Sequence, residues 1–512
     1  MATEAGWGPS RVFGILCSQI GYAPAGPVRV LIRSDDPSRL KPDGAYYVES
    51  ILGAVIEHGT FEEAGPCWGS SWWSATLSIP RAEGTYRLGF TTADGATLYS
   101  DPFDVRPGIL WDTSFERVAL DQLERRARFA KAGHGWMDAG MPWQEANAHG
   151  SMLIGLLDIL EAVPERLSTT QRERLHEQIV VGCDYLALLQ DTAAERGHPS
   201  GSLSHMTPDY EDDILPADAS KAAVAWAMAA RLMPDGIGLN RADARRRAAL
   251  ALSYAASDSA HADPSHLTLG FNHHQRGLDA SYSPPVGQPT TREIWAMAWA
   301  GIELARQGDA AWDRAVGWVD RALDRQATQA EAIDGLHGYF FEFDDRHHAE
   351  PAWAHQIKSR PLGVDAGATF PNWVLPLVLL LRHQPYHPKA YRWRQAVHQF
   401  AYGYLLPACQ HNPFFLLPNL LHRKQGLIYF AGPWHGMSCI YTLTAAVSME
   451  LYRVLDDDSF LELATGNLQW VAGLNAGLTR ESLRGCHMFD TEVPEGIAWP
   501  VSLIHKVRRQ LD

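Results

Sequence analysis

The 512-residue sequence predicts a multidomain fold, a small β-sandwich followed by a large all-α body, and three observations predict it. Length is the first: a single core stops growing near ~250–300 residues unless it is a barrel, so two units are expected. Second, residues 11–106 carry short β-rich runs broken by Gly, Pro and Asp. Third, from Phe115 onward apolar residues recur at helical spacing in eleven or twelve successive segments.

The β-rich runs are Val28–Ile32 (VRVLI), Ala45–Val48 (AYYV), Trp72–Ile79 and Tyr86–Phe90, and Pro102–Pro107 (PFDVRP) closes a last strand. Short strands with turns at this spacing indicate a sandwich. A boundary near 106 follows, giving a β domain over 1–106 and a helical domain over 107–512. Helices are expected over 115–131, 147–162, 170–190, 218–232, 241–257, 291–307, 310–327, 370–383, 388–405, 434–454 and 458–473. Paired inner and outer helices closing into a toroid account for that count, whereas a solenoid would need a repeat of fixed period. Ala222–Leu232 and Trp295–Leu304 are apolar nearly all round, which places them between other helices.

Formal net charge is −15 and the longest basic run is Arg245–Arg247, so a phosphate-neutralising surface, and with it nucleic acid as a partner, is not expected. Met1–Val12 lacks an apolar segment of signal-peptide length and no apolar run of spanning length follows, so a cytoplasmic protein without membrane attachment is expected. The six cysteines, Cys17, Cys67, Cys183, Cys409, Cys439 and Cys486, form no CxxC pairs and are expected to be reduced and buried. Phosphate loops, dinucleotide fingerprints and nucleophile elbows are missing, so no cofactor is predicted. Eighteen Trp and seventeen Tyr suit a protein that stacks rings on sugars, though most will be core.

Several phrases occur in one order. Ser18–Tyr22 (SQIGY) precedes Val28–Ile32; then come Gly135–Gly140 (GWMDAG), Val181–Leu186 (VGCDYL), the Ala-rich Ala217–Arg231, Arg292–Asp309, Phe430–Ser438 with Gly473–Asn475, and Thr491–Val493 (TEV). In this order they resemble the family 9 glycoside hydrolases along nearly the whole chain. The resemblance implies an immunoglobulin-like β-sandwich ahead of an all-α (α/α)6 toroid. It also implies a pair of catalytic carboxylates. The family's Asp-Ala-Gly-Asp loop maps onto Asp138 at its first acid, but Met141 stands where the family has its general base.

Glycoside hydrolysis needs an acid for the leaving oxygen and a second carboxylate, held roughly 6.5–9.5 Å apart in inverting enzymes. Asp138, in a Gly-flanked loop between Trp136 and Trp143, is the candidate base; helix capping is its alternative role. Glu145 is a nearby carboxylate that either replaces the family's lost Asp or complements the dipole of the next helix. For the acid, Glu492 fits the family phrase, followed by Glu495 and then Asp490; crowded carboxylates raise one another's pKa, and a solvated loop is the alternative. Substrate contacts are expected from Trp136, Trp143, Glu145, Trp434, His435 and His274. Adjacent His doublets point their side chains apart, so no metal site is predicted.

The expected function is therefore an inverting glycosidase acting on short β-linked oligosaccharides through two carboxylates. The alternatives are a lyase-type glycan cleavage or an inactive sugar-binding protein on the same scaffold. Oligomeric state is not legible in the sequence.

Overall fold

The computed structural model describes residues 13–78 apart from 25, 35, 37, 39, 41 and 42, then 83–137, 144–262, 285–308, 312–341, 343–346, 374–418, 420–422, 426–428 and 437–474. Among the described residues nine strands come first: β1 (Phe13–Leu16), β2 (Val28–Ser34), β3 (Ala45–Ser50), β4 (Val55–Thr60), β5 (Glu62–Cys67), β6 (Ser70–Leu77), β7 (Gly84–Thr91), β8 (Thr97–Tyr99) and β9 (Phe103–Val105). They form two antiparallel sheets, one in the order β1-β2-β6-β5 and one in the order β4-β3-β7-β8 with β9 also on β7.

Val30 and Ile32 of the first sheet face Val48, Leu88 and Phe90 of the second, all fully buried. Leu31 points the other way and joins Trp72 in the core of the helical body. That is why β2 reads as a near-continuous apolar run: both of its faces are covered. Arg29, on the same outward face, lies 3.9 Å from the centroid of Phe415. Trp68 stacks on Phe414 at 5.7 Å, and the backbone N–H groups of Gln19 and Ile20 both donate to Ala472 O at 3.2 Å. The β and helical parts thus share a packed, hydrogen-bonded seam.

The helices are α1 (Ile109–Phe115), continued by a π-helical turn over Glu116–Asp121 into α2 (Gln122–Arg128), then α3 (Ala146–Ala162), α4 (Thr169–Glu195), α5 (Pro216–Leu232), α6 (Arg241–Ala255), α7 (Thr291–Ala305), α8 (Trp312–Asp324), α9 (Leu375–His383), α10 (Ala390–Phe400), α11 (Leu406–Gln410), α12 (Met437–Leu455) and α13 (Asp458–Val471). One row runs α3, α5, α7, α9, α12, each helix packed on the next. A second layer covers it, with α4 on α3, α6 on α5, α8 on α7, α10 on α9 and α13 on α12. In α7 every residue from Thr291 to Ala305 is buried, and in α5 nearly every one, as an all-round apolar sequence requires.

Two expectations are corrected. The helical part is not free of strands, since β10 (Leu420–His422) and β11 (Gly426–Ile428) form an antiparallel hairpin. The first helix begins at Ile109, earlier than the expected 115, and a π-helical turn over Glu116–Asp121 then joins it to α2.

Ion pairs fix the direction of the inner row. Near the C-terminal ends of α3, α5 and α7, Arg231 reaches Glu161 and Glu303 at 2.7 Å each, and Arg306 reaches the same two acids at 2.6 and 3.0 Å. At the other end Lys221 of α5 bonds Asn147 and Ser151 of α3. The three helices therefore run parallel, with their N-termini on one rim.

Candidate active site

Each of these inner helices starts with a carboxylate. Glu145 is the N-cap of α3, Asp218 lies in the first turn of α5 behind Pro216, and Glu293 closes a capping box with Thr290 at the start of α7. The unpaired N–H groups and dipole of a helix start favour negative charge there. Glu293 is spent on its own helix, accepting from the Thr290 N–H at 2.6 Å. Asp218 and Glu145 are not. They meet on one histidine.

His205 Nδ1 lies 2.7 Å from Asp218 Oδ2, and His205 Nε2 lies 3.9 Å from Glu145 Oε1. The Asp218 side chain has no exposed surface, Glu145 keeps 10% of its own, and His205 keeps 16%. Burial pulls the imidazole pKa down, but the charge and hydrogen bond of Asp218, aided by Glu145, win and lift it to about 9. His205 is thus an imidazolium at neutral pH, held between two carboxylates. Its backbone is fixed as well: His205 O accepts from the Ala146 N–H at 2.9 Å, and its N–H donates to Asp213 O at 2.8 Å.

The loop leading to Asp138 is pinned to the same rim. Trp136 N–H donates to His149 Nε2 at 2.9 Å, and His149 Nδ1 donates to Glu145 O at 2.8 Å. Burial pushes His149 down to about 4, so it is neutral and fills both roles. Gly135 takes φ +71°, and a Cβ there would stand 2.6 Å from both His149 Nε2 and Tyr185 Cγ, so only glycine fits. Gln144 bonds back to His134 O at 2.6 Å, while Tyr185 donates to Gln144 O at 2.6 Å. Met137 N–H donates to Arg126 O at 3.1 Å, so the residues on both sides of 138–143 are held in place.

The expected site residues fall as follows. Glu145 stands on the rim beside His205. Trp136 is 3% exposed, stacked on His149 at 5.2 Å, with its indole N–H donating to Gln178 at 2.9 Å. Its ring was expected to contact substrate; as placed, one face lies on His149, its N–H is taken by Gln178 and little of it is exposed, so it packs the loop. Asp138, Trp143, His274, Trp434, His435, Glu492, Glu495 and Asp490 lie outside the described residues. Asp344, another carboxylate of the helical body, is held by Arg325 at 2.6 Å.

His205 and Asp218 were not singled out from the sequence. Asp218 sits two residues after Pro216 and reads as an ordinary helix start. Only the pairing across thirteen positions gives it charge work, and no spacing rule covers a loop-to-helix contact. Of the cysteines among the described residues, Cys17, Cys183 and Cys409 are buried and Cys67 is partly buried, and none of the four forms a disulfide. Among the described residues, no group of three His, Cys, Asp or Glu side chains is arranged to hold a metal ion, and no helix is long and apolar enough to cross a membrane.

No protein-family model and no curated protein matches the sequence. Solved structures do match the fold. A metagenome-derived glycoside hydrolase family 9 endoglucanase is 16% identical, with a TM-score of 0.56 over 90% of this chain and 84% of that one. A family 9 glycoside hydrolase of Bacteroides ovatus is 15% identical, with a TM-score of 0.54 over 90% of this chain and 85% of its own. A thermostable single-mutant endoglucanase from Alicyclobacillus acidocaldarius is 15% identical, with a TM-score of 0.53 over 90% and 82%. At these identities the likeness is one of architecture, and this chain, β-sheet domain and helical body together, has the fold of the family 9 glycoside hydrolases.

Proposed function

We propose that the protein is a glycosidase that cleaves short β-linked oligosaccharides, with inversion, by acid and base catalysis from two carboxylates. One observation carries this reading: the β-sheet domain and the two helical layers together have the fold of family 9 endoglucanases, and the loop that leads to Asp138 is anchored at the rim where α3 and α5 start. In this reading the two helical layers close into an (α/α)6 toroid, the sheets form an immunoglobulin-like domain, and the rim opens on the substrate. Asp138 is the base of this reading, and what supports it is that the residues flanking its loop, Met137 and Gln144, are both anchored by hydrogen bonds. Glu492, with Glu495 as its alternate, supplies the proton to the leaving oxygen. Trp143, Trp434, His435 and His274 line the sugar.

The test is a panel of β-linked oligosaccharides, with products separated by chromatography and their anomeric form read by NMR. Hydrolysis with inversion is expected, and Asp138→Ala should lower kcat by about 10²–10⁴. An ultraviolet-absorbing unsaturated product would replace hydrolysis by β-elimination. Binding without turnover would make the protein an idle sugar binder.

A further inference from the structure

The second sheet turns its outer face away from the helical body. The first sheet lies between them, with Leu31 and Trp72 packed on the helices and Val30 and Ile32 on the second sheet. On the outer face one rung runs across four strands. His58 of β4 pairs with Tyr47 of β3, Tyr47 with Gly89 of β7, and Gly89 with Tyr99 of β8. Directly paired residues share a face, and Tyr46, Val48, Leu88 and Phe90, their neighbours along β3 and β7, fill the core, so this rung points outward.

Gly89 has ordinary strand backbone, and what its missing side chain supplies is room. A Cβ there would stand 2.3 Å from Tyr47 Cζ, so the Tyr47 ring lies across the glycine. Its hydroxyl reaches the next strand and donates to the Tyr99 hydroxyl at 2.9 Å. The Tyr47 centroid is 6.3 Å from that of Tyr99 and 6.4 Å from that of His58. Arg87 lays its guanidinium over Tyr99, 4.2 Å from the centroid, and pairs with Glu49.

These rings are fixed yet open to water: His58 is exposed, Tyr99 is 45% exposed and Tyr47 is half-buried. Side chains already held in place lose little freedom on binding, and each offers an apolar ring with a hydrogen-bonding group at its edge. The Tyr47 phenol, raised to about 12 chiefly by its bond to Tyr99, stays protonated. Arg87 and Glu49 cancel each other's charge, so the row offers no strong field to an ion. Its complement is a neutral molecule with flat apolar faces and hydroxyls around them, which is the chemistry of a sugar ring. Size points the same way: three strand spacings by two residues is about 14 by 7 Å, on the order of 100 Å². A stable protein partner needs roughly 800 Å² on each side.

We propose that the rung of His58, Tyr47, Gly89 and Tyr99 is a binding face for a neutral, β-linked glycan chain, whose rings stack on the tyrosines while His58 and Arg87 bond their hydroxyls. An extended ribbon follows such a rung, whereas a coiled α-linked chain leaves it. The proposal goes beyond the glycosidase reading and needs no turnover: it holds glycan on the side of the β domain that faces away from the helices.

The experiment is native electrophoresis of the full-length protein through gels holding hydroxyethylcellulose, glucomannan or glycogen, with Tyr99→Ala and His58→Ala beside the wild type, each checked by thermal unfolding. The wild type should be retarded by at least one of the two β-linked polymers and not by α-linked glycogen. Each variant should lose about tenfold in affinity for that polymer, with its rate on cellotriose unchanged. Should one variant fail to fold, the other decides. No retardation of the wild type, equal retardation by glycogen, or undiminished retardation in a folded variant would overturn the proposal, as would a fall in cellotriose turnover that matches the loss of retardation. A wild-type dimer that Tyr99→Ala dissociates, with no glycan bound, would overturn it too and make the face a contact between copies. Failure here leaves the glycosidase reading standing, and a protein that hydrolyses no oligosaccharide overturns that reading while this binding test keeps its force.

Discussion

His205 Nδ1 and Asp218 Oδ2 stand 2.7 Å apart, and the carboxylate of the pair has no solvent-exposed surface. Such a contact stores pH dependence in the fold. The imidazole pKa is raised from 6.5 to about 9 in the folded protein, so the stability it contributes is complete below about pH 6.5 and is lost as pH rises through about 9. The slope cannot exceed about 1.4 kcal/mol per pH unit from this group. Urea unfolding of the wild type and Asp218→Asn across that range should show the gap between them narrowing toward high pH; parallel curves would mean that the pair is not charged.

At the opposite rim, Glu303 keeps 1% of its side-chain surface and is shared between Arg231 and Arg306. Arg231→Met removes one cation from a buried acid and should cost about 3–5 kcal/mol in unfolding free energy. Arg246, exposed and paired with Asp243 along α6, is the control: Arg246→Ala should cost less than about 1 kcal/mol. Equal losses at both sites would contradict the burial of the inner network.

Gly133 and Gly135 both take φ +71°, but only Gly135 has neighbours where a Cβ would go. Gly133→Ala should therefore cost about 1 kcal/mol of backbone strain, and Gly135→Ala more than twice that through its clash with His149 and Tyr185. Thermal unfolding of the two variants separates strain from crowding. If the loop also carries the proposed base, Gly135→Ala alone should depress kcat.

Trp136→Phe deletes the indole N–H and leaves Gln178 Oε1 without its 2.9 Å partner in the interior. The expected loss is about 1–3 kcal/mol of stability, with KM for oligosaccharide within about twofold of wild type. A large rise in KM at unchanged stability would return this ring to the substrate.

Much of the helical body was legible because its starts are chemically marked. The span expected at 147–162 is found at Ala146–Ala162, and that at 241–257 at Arg241–Ala255, where Asn240 accepts from the Asp243 N–H. Strands β4 and β5 were missed for the opposite reason: they are largely exposed, and Glu62–Cys67 holds a Gly and a Pro, so no apolar alternation betrays them. The three-residue strands β10 and β11 are too short to carry a period.

For the site, Glu145 could be named because it follows a loop with a known resemblance. Its surroundings could not, because the histidine beside it comes from a loop sixty residues away and the charge of that histidine depends on a third residue buried in another helix. Electrostatics of this kind exists only after tertiary packing, as does the burial of Trp136 against His149.

The seam between the sheets and the last helices has a further consequence. Gln469 donates to Gly21 O at 3.2 Å, and Gln19 and Ile20 close on Ala472, so the segment around Gly21 finds its permanent neighbours only when synthesis has passed residue 472. Until then Trp68, Leu31 and Trp72 belong to a surface whose mate has not been made. Segments 448 positions apart must meet, which makes this seam a late, slow event in folding and a place where nascent molecules are open to mispairing with one another.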